Sequence, residues 1–115
     1  MAKTVSLCLL CFALLLSTGW TAVLVNGQTK TWCVAKASSN DTILQENLRF
    51  ACSNVDCSII NTGKPCFEPN ILISHVSVIM NLYYRAKGSN VWNCDFGSSG
   101  LISITDPSYG TCAYA

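Results

Sequence analysis

Nine aromatic side chains lie beyond residue 27: Trp32, Phe50, Phe67, Tyr83, Tyr84, Trp92, Phe96, Tyr109 and Tyr114. Flat rings suit a ligand that is apolar on its faces and hydroxylated at its edges. The ring covers the face, and neighbouring polar groups take the rim. Tyr83 and Tyr84 are adjacent, and on a helix such neighbours stand about 100° apart, so one faces the core and the other solvent. Tyr83 falls at helical spacing with Leu72, Val76 and Ile79 and is expected to be buried. Tyr84 is then the exposed platform. Trp92 and Tyr109 are further candidates, and Asn81, Asp95 and Arg85 could bond hydroxyl groups. Phe50 and Phe96 lie close to cysteines and read as packing.

Other reactive groups support less chemistry. Asp41, Glu46, Asp56, Glu68, Asp95 and Asp106 could supply two carboxylates for glycoside hydrolysis. That reaction needs the pair held across a cleft, one of them kept protonated, and a short cysteine-pinned chain has little wall for a cleft. No strand–turn–helix nucleophile motif surrounds any serine. His75 lies on an apolar helical stripe and reads as a buried, hydrogen-bonded histidine. It is the only histidine, and oxidised cysteines do not ligate zinc, so neither metal nor cofactor is expected.

The cysteines set the compartment. Met1-Ala2-Lys3-Thr4 is a short positive start, and Val5–Leu16 is an uncharged run, apolar but for Ser6, the pattern of a secretory leader. Val25-Asn26-Gly27 places cleavage after Gly27, with a cut after Gly19 as the alternative. Retention as a membrane anchor is disfavoured, because Ser17, Thr18 and Gly19 interrupt the run. Residues 1–27 are therefore read as a signal peptide and residues 28–115 as one small domain, 115 − 27 = 88 residues. Cys8 and Cys11 go with the leader and leave an even six, a disulfide-scaffold density that demands export. Fifteen pairings of six cysteines exist in principle. Six Lys/Arg balance six Asp/Glu after residue 27, which excludes a basic nucleic-acid-binding face. Nothing after Gln28 is apolar enough to anchor in a membrane, and a monomer is expected. Asn40-Asp41-Thr42 is an N-glycosylation sequon at the start of a helix.

Two helices and short strands must position these side chains. Thr42-Ile43-Leu44-Gln45 has capping-box form, and Leu44, Leu48 and Ala51 follow at helical spacing to an end near Cys52. Pro69-Asn70 opens the second helix; Arg85, Lys87 and Gly88 close it. Its apolar face is wide enough to need the first helix and a sheet against it. Val91–Phe96 and Leu101–Thr105 flank Gly97-Ser98-Ser99-Gly100 like the arms of a hairpin, and Thr111–Tyr114 reads as a last strand. The expected class is α+β, a small disulfide-rich domain with two helices and a small antiparallel sheet.

Seven motifs in order carry a resemblance: Trp32-Cys33-Val34-Ala35, Cys52-Ser53-Asn54-Val55-Asp56-Cys57, Pro65-Cys66-Phe67-Glu68-Pro69-Asn70, His75-Val76-Ser77, Asn81-Leu82-Tyr83-Tyr84, Cys94-Asp95-Phe96-Gly97 and Asp106-Pro107-Ser108-Tyr109-Gly110-Thr111-Cys112. From about Thr31 to Tyr114 the chain resembles the plant carbohydrate-binding module family 43, in its stand-alone, pollen-allergen-like form. The resemblance implies pairing of Cys33 with Cys94, Cys52 with Cys57 and Cys66 with Cys112. It also implies a secreted, non-catalytic module of the cell wall that binds 1,3-β-glucan (callose), with a separate glucanase as a further partner. Val76, Val78 and Met80 depart from the family's usual Ala, Tyr and Phe. The competing reading is a cysteine-rich defence or protease-inhibitor-like peptide, with the loop Asn61–Pro65 as its candidate contact. Lipid transfer is disfavoured, because there is no adjacent cysteine pair.

Overall fold

The protein is described from a computed structural model covering residues 29–115; the leader and both cleavage points lie outside them. Its elements are β1 (Trp32–Ala35), α1 (Asp41–Cys52), a 3₁₀ turn Ser58–Ile60, α2 (Leu72–Ala86), a second 3₁₀ turn Val91–Cys94, and β2 (Gly100–Ser103). The α+β class with two helices and an antiparallel sheet is as expected.

Helix α1 starts earlier than the capping-box pattern suggests. The cap is Asn40, whose extended backbone lets Oδ1 accept the Ile43 N–H at 2.9 Å. Asn is among the strongest N-caps, and it wins over Thr42 two residues later. The helix ends at Cys52 as expected, where Ser53 Oγ and Asn54 Nδ2 both donate to the Phe50 carbonyl, at 2.6 and 3.0 Å. Beyond it, Asp56 accepts the Ser58 N–H at 2.9 Å. The Ser58 backbone and hydroxyl together hold the Asp56 carboxyl below the usual carboxylate range. That turn is thus supported at neutral pH and loses the support as pH falls through the carboxylate range.

Helix α2 ends in a Schellman motif. Ser89 N–H donates to Tyr84 O at 2.9 Å and Gly88 N–H to Arg85 O at 3.2 Å, with Gly88 at φ +96°. All six residues from Val76 to Asn81 are buried, so α2 has no single inner face. Val76, Met80 and Tyr84 pack with Cys33, Ala35 and Leu44, while Val78 and Ile79 pack with Ala51, Cys66 and Cys112.

A third side of α2 is polar and equally buried. Ser77, Asn81 and Tyr84 lie at i, i+4 and i+7, one stripe along the helix. Ser77 Oγ accepts the Ala35 N–H at 3.0 Å, Asn81 Oδ1 accepts the Cys33 N–H at 3.0 Å, and the Tyr84 hydroxyl bonds Thr31 Oγ1 at 2.6 Å. One edge of β1 is therefore satisfied by side chains of α2. Its other edge pairs with β2 in the register Trp32↔Ser103, Cys33↔Ile102, Val34↔Leu101 and Ala35↔Gly100.

The sheet departs from the expected hairpin. Residues 91–96 do not form a strand, and β2 pairs with the distant β1. Two constraints account for this. Cys94 is bonded to Cys33 on β1, which draws the segment off the sheet edge. Phe96, Gly97 and Ser98 then take φ of +45°, +62° and +69°, a left-handed turn that an extended arm cannot contain. The expected strand Thr111–Tyr114 reduces to one bridge between Tyr109 and Cys112.

The disulfides are Cys33–Cys94, Cys52–Cys57 and Cys66–Cys112, the pairing that the resemblance implies. The first and third close loops of 61 and 46 residues, for which chain entropy gives about 4 kcal/mol each; the short second loop gives about 2 kcal/mol. For a domain of this size such staples decide whether it folds.

The C-terminal segment lies beside Tyr109, and burial, then the neighbouring Tyr109 hydroxyl, push the Tyr114 phenol up to about 12 from 10.0. A raised phenol supports the fold below the unfolded value and loses that support as pH climbs to the folded one. The melting temperature should hold to about pH 9 and fall between about pH 10 and 12. Tyr114→Phe should lack that part of the fall; parallel alkaline melts of the two proteins with identical slopes would refute the assignment.

Candidate functional site

An open groove of about 400 Å³ lies where α1, α2 and the second 3₁₀ turn meet, and it is lined by Glu46, Asn47, Phe50, Tyr83, Trp92, Asn93, Asp95 and Phe96. Three rings form its floor and wall. Phe50 and Tyr83 stand 5.2 Å apart between centroids, Tyr83 and Phe96 5.6 Å at 70°, and Phe50 and Phe96 6.3 Å at 80°. These are the tilted and edge-to-face contacts that ring quadrupoles favour. Phe50 remains 52 % exposed and Trp92, at the rim, 73 %, so ring surface faces solvent.

Each ring is held by local chemistry. Glu46 and Phe50 stand at i and i+4 on α1, so a carboxylate and a ring share one face of the helix. Lys87, one turn beyond Tyr83, places Nζ 5.6 Å from the centre of the Tyr83 ring. Phe96 has the left-handed backbone noted above, sparsely populated for a residue with a Cβ. A relay fixes it there: Asn47 Nδ2 donates to Ser99 Oγ at 2.7 Å, and Ser99 Oγ donates to the Phe96 carbonyl at 2.5 Å. Asn47 and Ser99 are both buried. Asp95 Oδ2 accepts the Ser98 N–H at 3.3 Å and braces the same turn.

Of the residues expected from sequence, the groove gathers Tyr83, Trp92 and Asp95 and leaves out Tyr84, Asn81 and Tyr109. The tyrosine pair is reversed. Tyr84 is 1 % exposed, bonded to Thr31 and flanked by the Arg85 guanidinium at 5.7 Å, whereas Tyr83 is half-buried with its ring in the groove. The cause is the polar stripe of α2, which turns Tyr84 toward β1. Asn81 is fully buried, its Oδ1 on Cys33 and its Nδ2 on the Ala115 carbonyl. Arg85 donates to Ser89 Oγ, Thr31 O and Ala115 O. The Tyr109 hydroxyl donates to Glu68 O at 2.8 Å and lies 3.2 Å from Ser74 Oγ, tying the C-terminal turn to the start of α2. His75 is hydrogen-bonded as expected, to Phe67 O at 2.6 Å, though half-buried.

Phe50 and Phe96, which read from sequence as packing, are groove rings; Glu46 enters the sequence reading only among the carboxylates weighed for hydrolysis, and Asn47 and Asn93 carry no signal there. One signal for Phe50 was present: it stands about 100° around α1 from Ala51 and off the stripe of Leu44, Leu48 and Ala51. A large ring off its helix's apolar stripe needs a second reason to be there.

The chain is thus a small disulfide-stapled α+β domain with a ring-lined groove between its helices. Residues 31–101 match the family model of the X8 domain. The chain therefore belongs to the X8 domain family, the carbohydrate-binding module family 43 that its motifs resemble. It is 49 % identical over 83 residues to a glucan endo-1,3-beta-glucosidase of Triticum aestivum, and 44 % over 85 residues to a glucan endo-1,3-beta-D-glucosidase of Olea europaea; the alignments take in 72 % and 73 % of this chain. It spans only 18 % of the length of either protein. Against the major pollen allergen Ole e 10 of Olea europaea it is 42 % identical over 87 residues, 74 % of this chain and 71 % of the allergen.

Proposed function

We propose that this chain is a secreted, non-catalytic module that binds 1,3-β-glucan at the plant cell wall, with residues 1–27 as its leader and residues 28–115 as the module. The observation behind this reading is the cluster of Phe50, Tyr83 and Phe96 with Trp92 at the rim. A β-glucan presents apolar C–H faces and hydroxyl rims. The rings match the faces, and Glu46, Asp95 and Asn93 at the margin match the rims. The kinship with the carbohydrate-binding family and with proteins named 1,3-β-glucosidases supports the linkage. A separate glucanase acting on the same polymer is the companion that those relatives suggest.

The test uses secreted, disulfide-bonded protein mixed with insoluble 1,3-, 1,4- and mixed-linkage β-glucans. Retention on the 1,3-linked polymer above the other two, with reducing ends unchanged over a long incubation, is the expected result. Sugar release by a pure preparation, or equal retention on all three, would overturn the reading.

A further inference from the structure

Asn40 has a role in the fold that uses only half of its side chain. Its Oδ1 accepts the Ile43 N–H at 2.9 Å as the cap of α1, while Nδ2 has no hydrogen-bond partner among the described residues. The residue is exposed on extended backbone, and Asp41 and Thr42, which complete the sequon, are exposed in the first turn of α1. We propose that Asn40 carries an N-linked glycan on Nδ2 while Oδ1 of the same carboxamide goes on capping the helix. In the transfer, Nδ2 forms a bond to the anomeric carbon of the first sugar of a lipid-diphosphate-linked oligosaccharide. The bond from that carbon to the diphosphate oxygen breaks, the lipid diphosphate leaves, and Nδ2 gives up one of its two protons. The product is still an amide, so Oδ1 keeps the lone pair that accepts the Ile43 N–H.

The attachment point also leaves the groove clear. Asn40 precedes the first turn of α1, and the groove residues Glu46, Asn47 and Phe50 lie on its later turns. Ten residues separate Asn40 from Phe50, about 15 Å along the helix axis. The attachment point thus stands at the opposite end of α1 from Phe50, and the glycan is expected to leave the ring cluster open.

The experiment expresses the full chain in a plant secretory system and weighs the intact protein before and after enzymatic removal of N-glycans. Wild type should carry one oligosaccharide, and Thr42→Ala, Asn40→Asp and Asn40→Gln should each lack it. Melting separates the two roles of the carboxamide. Thr42→Ala and Asn40→Asp keep a capping oxygen and should melt within a degree or two of deglycosylated wild type, whereas Asn40→Gln should melt several degrees lower. Retention on glucan should be the same before and after sugar removal. Secreted, disulfide-bonded protein without a glycan would overturn the proposal, as would equal melting of Asn40→Gln and Thr42→Ala. A large gain in binding on deglycosylation would overturn the placement. Failure of every form to bind glucan would count against the proposed function and leave the glycan result standing.

Discussion

Gly100→Ala is expected to unfold the domain well below the melting temperature of the wild type, the largest loss for a methyl group added at any of the described glycines. Gly100 opens β2 opposite Ala35, and a Cβ built there would lie 1.6 Å from the Cys94 carbonyl oxygen, 2.8 Å from its carbon and 3.3 Å from Sγ. None of these atoms can yield cheaply. The carbonyl belongs to the backbone of the second 3₁₀ turn, the sulfur is bonded to Cys33 on β1, and the Gly100 N–H itself donates to Asp95 O at 3.0 Å. Relief requires parting the two strands or shifting the turn that carries Asp95 and Phe96. Overpacking against movable side chains costs about 1–3 kcal/mol, so a clash with backbone should cost about 3 kcal/mol or more. Gly97→Ala is the control. Its Cβ would meet nothing within 4 Å, and the penalty is that of φ +62° alone, about 1–2 kcal/mol. Thermal melts that rank Gly97→Ala as the more damaging change would show that the approach of β2 to Cys94 is not as drawn.

That close approach also marks where the sequence stopped being legible. The C-terminal ends of both helices could be read from local chemistry, because helix-stopping residues act within a few positions, whereas both starts were misplaced: Asn40 and not Thr42 caps α1, and α2 begins at Leu72 and not at Pro69-Asn70. The pairing of β2 with β1 could not be read. Cys33 and Cys94 are 61 residues apart, and the local pattern of residues 91–105 imitates a hairpin closely enough to hide the left-handed turn at Phe96. The groove was half legible for a similar reason. Helical spacing sorts residues by hydrophobicity, but Ser77, Asn81 and Tyr84 are buried because the edge of β1 needs partners. A polar stripe that serves a strand looks, in sequence, like one that faces water. Tyr84 was therefore turned outward and Tyr83 inward, and Phe50 was assigned to the core although its ring stands half in solvent.

Tyr84→Ala and Tyr83→Ala should separate stability from binding, in the order the structure dictates. Tyr84 is among the largest fully buried side chains and packs with Cys33, Ala35, Leu44, Val76, Met80 and Cys94. Truncation leaves a ring-sized void, typically about 3–5 kcal/mol. It also deprives Thr31 Oγ1 of a hydrogen bond, commonly about 1 kcal/mol net. A steep fall in melting temperature is expected, with glucan affinity little changed in whatever fraction remains folded. Tyr83 is half-buried: it packs on the margin of the cluster around Ala51, Val78 and Ile79, and its ring meets the groove rings Phe50 and Phe96. Removing it takes away a stacking surface, worth about 1–3 kcal/mol of binding by analogy with base–aromatic stacking, a loss of roughly 10- to 100-fold in Kd. Its effect on stability should be the smaller of the two. Binding isotherms on soluble 1,3-β-glucan oligomers, run beside thermal melts, measure both. If Tyr83→Ala binds like the wild type while Trp92→Ala does not, the working surface is the exposed rim and not the ring cluster beneath it. If Tyr84→Ala melts normally, the polar face of α2 does not support the edge of β1.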